Sequence, residues 1–304
     1  MKFVVTGGAG FIGSNIVDRL VNENHEVHVI DNLISGKLAN INKQATFHNL
    51  DLSDSSNLNE MSKIFENAYG VFHTAAIARV QPSIEEPIKY EMNNTMGIVN
   101  VLKACVDSGA KRLIYSASSS AYGDSKTLPL NESLAPNPIS PYAAQKFYGE
   151  ILCRTFSKVY NIQTVSLRYF NVYGEKQNLE GAYSLVIGIF LNLKFNNLPM
   201  TIRGDGEQRR DFTYVGDVVE ANLLACNSEL VGAGEVINIG NGDNRSVNQI
   251  AEYIGGEKVF IDPVIEPKET LADNNLAKEL LNWSPSMKVE NWIKNFLEKK
   301  RNNS

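Results

Sequence analysis

Tyr142 and Lys146 stand four residues apart in the stretch SPYAAQK, residues 140–146. A phenol and an ammonium at that spacing share one face of a helix. A helix start is written at the same place, because Ser140 suits the N-cap and Pro141 the first helical position. A nearby ammonium favours the phenolate and draws a tyrosine down from its ordinary pKa of about 10. Such a tyrosine exchanges a proton with a sugar or alcohol hydroxyl. A packed ring beside a solvated amine has the same spacing, so the rest of the chain decides between the two readings.

The elements that would position this pair begin at the N-terminus. The apolar run KFVVT, residues 2–6, closes on Gly7-Gly8. A helix is predicted from about residue 10 to 21, with Phe11, Ile12, Ile16, Val17 and Leu20 on its buried side, and EVHVID, 26–31, follows as a second buried strand. Gly7, Gly10 and Gly13 form a G-x-x-G-x-x-G turn between strand and helix, where missing side chains let backbone amides and a helix N-terminus approach a pyrophosphate. Asp31 lies 18 residues after Gly13, placed to accept hydrogen bonds from adenosine ribose hydroxyls. Its carboxylate would repel a 2′-phosphate, so NAD is expected rather than NADP.

Further strand–helix alternation predicts a parallel sheet of the doubly wound α/β class. ATFHNLDL, 45–52, reads as a strand ending in Asp51-Leu52, a plausible adenine contact. GVFHTAA, 70–76, reads as another, with His73 a structural, hydrogen-bonded residue at its end. A helix over about 87–108 carries Met92, Val99, Leu102 and Val106 on one side. RLIYSAS, 112–118, delivers Ser118, Ser119 and Ser120 to a carboxyl end of the sheet, where open α/β folds bind ligands.

After TVSLRYFNVYG, 164–174, the alternation weakens into a smaller lobe. It holds an apolar helix near 183–195 and a loop whose Arg209, Arg210 and Asp211 read equally as an anion clamp or a solvated turn. EVINIG, 235–240, is expected to return a strand to the main sheet, and Trp283 and Trp292 to be core residues. The division expected is 1–168 for the cofactor and 169–304 for the substrate. The net charge of −5, with no long basic block, argues against a nucleic-acid platform. No apolar run is long enough to span a membrane, and the first strand leaves no room for a leader before it. The three separated cysteines have no metal-ligand spacing and are expected as buried thiols, which suits a cytoplasmic protein.

Taken together, TGGAGFIG (6–13), DNLISG (31–36), HTAA (73–76), YSASSSAYGD (115–124), SPYAAQK, LRYFNVYG (167–174) and RRDFTYV (209–215) resemble the extended short-chain dehydrogenase/reductase superfamily. Within it the chain is most similar to UDP-hexose 4-epimerases, over nearly its whole length. The resemblance implies a Rossmann-type fold and residue roles. Ser118 would hydrogen-bond the sugar 4-hydroxyl, Tyr142 would be the acid/base, and Lys146 would bind the nicotinamide ribose. Phe11 and Ile12 of the glycine turn, Asn32, Ser35 and Gly36 after Asp31, and Asp51 and Leu52 would belong to the NAD site. Ala75, Ala76, Ser116 and Tyr169 would line the cofactor pocket, with Asn94 bracing it from the neighbouring helix. Asn171, Val186, Arg203 and Arg210 would face the nucleotide diphosphate, and Ser83, Ser119 and Ser120 the sugar.

The implied reaction takes the 4-hydroxyl proton onto Tyr142 and the carbon-4 hydride onto retained NAD, turns the 4-keto sugar, and reverses both transfers. Related 4,6-dehydratases carry an Asp-Glu pair where this chain has Ser119-Ser120, and UDP-glucuronate decarboxylases a Glu at Ser120, which disfavours both reactions. Aligning ETLAD, 269–273, puts Thr270 at a gate that limits the sugar's 2-substituent, so N-acetylated hexoses are expected to fit, with plain hexoses alongside. PVIE, 263–266, sets Pro263 where relatives have a diphosphate-gripping Arg, and Arg203 or Arg209 is the compensating candidate. Another nucleotide-sugar epimerase, or a dehydrogenase/reductase of the superfamily, stays open as the alternative. No metal is expected. A homodimer through helices at about 88–107 and 141–159, packed as a four-helix bundle, is implied.

Overall fold

A computed structural model of the chain describes residues 1–179, 184–263 and 267–302. Strand β1 (Lys2–Thr6), helix α1 (Phe11–Asn22) and strand β2 (Glu26–Ile30) form the opening β–α–β unit. Then come β3 (Thr46–His48), α2 (Leu58–Phe65), β4 (Ala68–His73) and the short α3 (Val80–Glu85). The next helix is continuous in three parts: α4 (Pro87–Glu91), a π turn over Met92–Met96, and α5 (Gly97–Ser108). Strand β5 (Arg112–Ser118), α6 (Pro141–Tyr160) and β6 (Gln163–Tyr169) complete the first half.

The second half has β7 (Val172–Tyr173), α7 (Val186–Phe195), β8 (Met200–Arg203), β9 (Arg209–Asp211), β10 (Thr213–Tyr214) and α8 (Val215–Asn227). It ends with β11 (Ala233–Ile239), β12 (Asn244–Ser246), α9 (Val247–Ile254), β13 (Lys258–Ile261), α10 (Asn275–Leu281) and α11 (Val289–Asn302).

The main sheet has seven parallel strands in the order β11-β6-β5-β4-β1-β2-β3. Its central strands are apolar on both sides because helices cover both faces. One face packs on α1 and α8, with Ile16, Leu20, Val218 and Trp283 in its core. The other packs on α2, α5 and α6, through Met61, Phe65, Val101 and Cys153. The strand expected at 235–240 is β11, which pairs in parallel with β6. A third core, around Phe190, Ile250 and Trp292, joins α7, α9 and α11 in the smaller lobe.

Two local readings change. The strand expected over 45–52 shrinks to Thr46–His48, because Asp51 turns the chain by accepting from the Ser53 N–H and hydroxyl. The buried face of the 87–108 helix is also rotated: Met92 is exposed and Val99 and Val106 only half-buried, while Ile98, Val101, Leu102 and Cys105 fill the core. The π turn over 92–96 inserts a residue and shifts the helical phase, which a uniform 3.6 period cannot follow.

Candidate active site

The glycine turn at the end of β1 is built for close approach. Gly7 has φ +71°, and a Cβ there would lie 2.6 Å from the Ala75 nitrogen. A Cβ on Gly13 would lie 2.3 Å from the Gly7 carbonyl oxygen, so that glycine packs the helix onto the strand. Gly10 is the N-cap of α1 and supplies no side-chain cap, which leaves the first amides of the helix to a ligand. Phe11 and Ile12 begin the helix, half-buried.

The buried Asp31 carboxylate accepts from Ala9 N–H at 3.0 Å and Leu33 N–H at 2.8 Å, one on each oxygen. It thereby ties the glycine turn to the loop after β2, with acceptor capacity left over. A Cβ on Gly36 would come within 2.8 Å of it. Asn32 turns the same loop by accepting from Ile34 N–H, and Ser35 follows half-way out. An uncapped helix N-terminus facing a glycine turn, with a carboxylate at the next strand end, has the donor set of a dinucleotide site, and the residues fit NAD.

The carboxyl ends of β4, β5 and β6 meet the start of α6. Ser140 caps that helix by accepting from Ala143 N–H at 3.2 Å, and the buried Ser83 accepts from Tyr142 N–H at 3.2 Å. Lys146 donates to the Ser116 carbonyl at 2.8 Å. Ser118 caps a short turn, accepting from the Ser120 N–H and hydroxyl. Burial raises the Tyr142 pKa, against the Ser118 hydrogen bond and the charge of Arg79, both of which lower it. Burial pushes Lys146 down to about 8.

With this geometry in hand, similarity to known proteins is specific. Residues 3–240 match the NAD dependent epimerase/dehydratase family. The chain is 38% identical over 309 residues to a putative UDP-glucose 4-epimerase of Methanocaldococcus jannaschii, with 99% of each covered. It resembles the solved UDP-glucose 4-epimerase of Thermotoga maritima at a TM-score of 0.93 and 38% identity, covering 100% of this chain and 99% of that one. A UDP-N-acetylglucosamine 4-epimerase of Methanobrevibacter ruminantium, solved in complex with UDP-N-acetylmuramic acid, matches at a TM-score of 0.90 and 36% identity over 98% of each chain. This chain belongs to the NAD-dependent epimerase/dehydratase family.

In this family member the remaining site residues divide by place. Asn94, on the π turn, accepts from Ile77 N–H at 2.8 Å and donates to Ile77 carbonyl and Gln145 at 3.0 Å each, locking the loop after Ala75-Ala76 to α6. The Tyr169 hydroxyl shares a 3.1 Å hydrogen bond with Ser116 and donates to Asn222 at 2.9 Å. Leu52 is buried, its carbonyl held by Asn100 at 2.8 Å. His73 is structural as expected: its Nδ1 lies 2.7 Å from the Thr6 hydroxyl, its ring stacks on Tyr115, and burial lowers its pKa to about 3.

On the other lobe, Asn171 donates to the Asp211 carbonyl at 3.2 Å, and Val186 opens α7. Arg209 is not in a solvated turn: it lies half-buried in β9 and donates to Asn244 Oδ1 at 2.7 Å. Arg210 donates to the Arg209 carbonyl. Thr270 is buried and its hydroxyl accepts from Asp211 N–H at 3.3 Å. Arg203 ends β8 and is exposed. Pro263 is exposed, and the rest of the PVIE stretch lies outside the described residues.

Residue spacing alone misses Glu150 and Arg168. Both are buried, joined by hydrogen bonds of 2.8 and 2.7 Å. Arg168 also lies 4.5 Å over the Tyr122 ring, whose hydroxyl donates to Asn238. The one available signal was Glu150 four residues beyond Lys146 on the same helix.

Proposed function

We propose that this family member is a UDP-sugar 4-epimerase that interconverts UDP-GlcNAc and UDP-GalNAc, and UDP-glucose and UDP-galactose alongside. The observation that carries the reading is the helix of Tyr142 and Lys146 tied by the Lys146 ammonium to the Ser116 carbonyl of the strand that ends in Ser118, beside a glycine turn that fits a dinucleotide. Gly7, Gly10, Gly13 and Asp31 hold NAD, with Lys146 and Tyr169 towards its nicotinamide end. When bound, NAD takes up the carbon-4 hydride and returns it to the opposite face.

The protein manages the proton and the geometry. Tyr142 Oη removes the 4-hydroxyl proton and later gives it back, so one residue serves both directions. Ser118 orients that hydroxyl from the strand end. Between the two transfers the sugar turns within the pocket, tethered by the diphosphate through the Asn171 and Arg210 segments. The compact Thr270 side chain, in place of an aromatic, supports room for a 2-acetamido group.

We assign 1–168, joined by β11, to the cofactor and the rest of 169–304 to the sugar nucleotide. Exposed Ile88, Met92, Tyr148 and Ile151 on the α4–α5 and α6 helices support a homodimer through a four-helix bundle, which light scattering tests directly. The cysteines are buried free thiols, in keeping with a cytoplasmic protein.

The deciding experiment is product analysis after separate incubation with UDP-GlcNAc and UDP-glucose without added cofactor. Conversion of UDP-GlcNAc to UDP-GalNAc supports the full reading. Conversion of UDP-glucose alone keeps the chemistry and removes the argument from Thr270. Release of NADH in step with substrate loss would replace epimerase with dehydrogenase.

A further inference from the structure

The loop after β2 leaves the glycine turn and rejoins it at one residue. Ala9 donates its N–H to Asp31 at 3.0 Å, and its carbonyl accepts the Lys37 N–H at 2.9 Å and the Asn40 side-chain amide at 3.0 Å. Half-way round, a Cβ on Gly36 would lie 2.8 Å from the Ala9 Cβ, so the loop rests directly on the turn. Its crest is open to solvent, with Lys37, Leu38 and Ala39 exposed. Neutral hydrogen bonds at so exposed a place are a weak hold, and such loops open readily.

A further hold comes from the other lobe. Lys176 lies three residues beyond β7, and its ammonium donates to Asp18 Oδ2 at 2.5 Å and to the Asn40 carbonyl at 3.3 Å. It also lies 3.5 Å from the Ser14 carbonyl of α1. The second Asp18 oxygen accepts the Asn42 side-chain amide at 2.9 Å. Ammonium and carboxylate thus hold the returning end of the loop at residues 40 and 42. Lys176 reaches them from a left-handed backbone, φ 62°, which any residue with a Cβ adopts at a cost. Its neighbour is anchored as well. The Glu175 carbonyl accepts the Asn15 amide at 3.0 Å, and its carboxylate accepts the Trp292 indole N–H at 2.9 Å.

We propose that Lys176 is a positioning residue for the cofactor, a latch that holds the loop after β2 shut on the dinucleotide turn so that NAD is retained. The inference rests on the reading given above, in which NAD must stay in place between two hydride transfers. A charge-assisted contact suits that task, because it adds strength where the neutral contacts are exposed. Placed beyond β7, it also makes the hold on the cofactor depend on how the two lobes meet.

The test follows NAD leaving the purified, loaded enzyme, diluted into a coupled dehydrogenase that reports free NAD as NADH. Lys176→Met keeps the aliphatic stem without the charge and is expected to release NAD about tenfold faster. Lys176→Arg should restore slow release. Lys176→Gly removes the left-handed strain together with the ammonium, so it should release NAD as fast as Lys176→Met from a backbone under less strain. Asp18→Asn should quicken release too, and add little in the Lys176→Met background, since both remove one contact. Unchanged release in Lys176→Met and Lys176→Gly, even with a lowered melting temperature, makes the contact merely structural and overturns the proposal. Fast release from the unaltered enzyme overturns it as well. An unaltered enzyme that keeps NAD yet converts no UDP-sugar sinks the epimerase reading alone, and the release rates still decide whether Lys176 is the latch.

Discussion

The ammonium of Lys146 donates to the backbone carbonyl of Ser116 at 2.8 Å, tying the helix that carries Tyr142 to the strand that ends in Ser118. The same ammonium lies 5.1 Å from the centre of the Tyr115 ring. Burial disfavours the cation there and brings Lys146 down to about 8, against the opposing influence of Cys153 and Glu150.

Turnover that needs the Lys146 ammonium should therefore fall as pH rises through about 8. The folded pKa lies below the ordinary 10.5, so across that interval the unfolded chain binds the extra proton and this group's contribution to stability rises with pH. Rate and stability should move in opposite directions there. Lys146→Met should lower kcat and erase both trends, as a pH series of kcat and of melting temperatures will show.

Tyr142→Phe removes one oxygen and leaves the helix cap at Ser140 and Ser83 intact. We expect turnover to fall by about 10²–10⁴-fold, the usual reach of a positioned acid/base, with NAD still bound after purification. Substantial activity in this variant would remove Tyr142 from its assigned role.

Glu150→Ala leaves the buried Arg168 without its carboxylate. A loss of about 3–5 kcal/mol is expected, measured by denaturant unfolding. Replacing both residues by Met should recover much of it, because an apolar pair carries no desolvation penalty. A small loss in the single variant would show that the Tyr122 ring suffices for Arg168.

Asp211 receives the N–H groups of Asn241, Gly242 and Ala272 at 2.6, 2.9 and 2.9 Å. Burial nonetheless raises its pKa from 3.8 to about 7, against those three donors. The folded state then holds the extra proton between these values, so this group's contribution to stability declines as pH rises to about 7 and is level above it. Asp211→Asn should remove that slope. It should also cost about 1–3 kcal/mol at neutral pH, since its amide points N–H groups at backbone donors. A higher KM for the sugar nucleotide is expected as well, because the Asp211 backbone holds Asn171 and Thr270.

Much of the architecture is legible from neighbours in the chain. Strands 2–6 and 112–118 stand as expected, because unbroken apolar runs ending in glycine or serine admit little else between two layers of helices. The glycine turn and Asp31 read equally well, since each acts through backbone conformation or a strand end. The face of the 87–108 helix did not, because one π turn rotated it.

By itself the sequence determined the α/β alternation, the dinucleotide turn and the Tyr142–Lys146 helix, all of which rest on local spacing. Tertiary structure alone decided what surrounds the tyrosine. Ser83 meets its N–H from a separate segment, and Lys146 turns to the Ser116 carbonyl. Glu150 finds Arg168, and Asp211 gathers amides from two loops. Burial and charge act across space, so the pKa of a buried group follows from what packs on it rather than from which residues precede it.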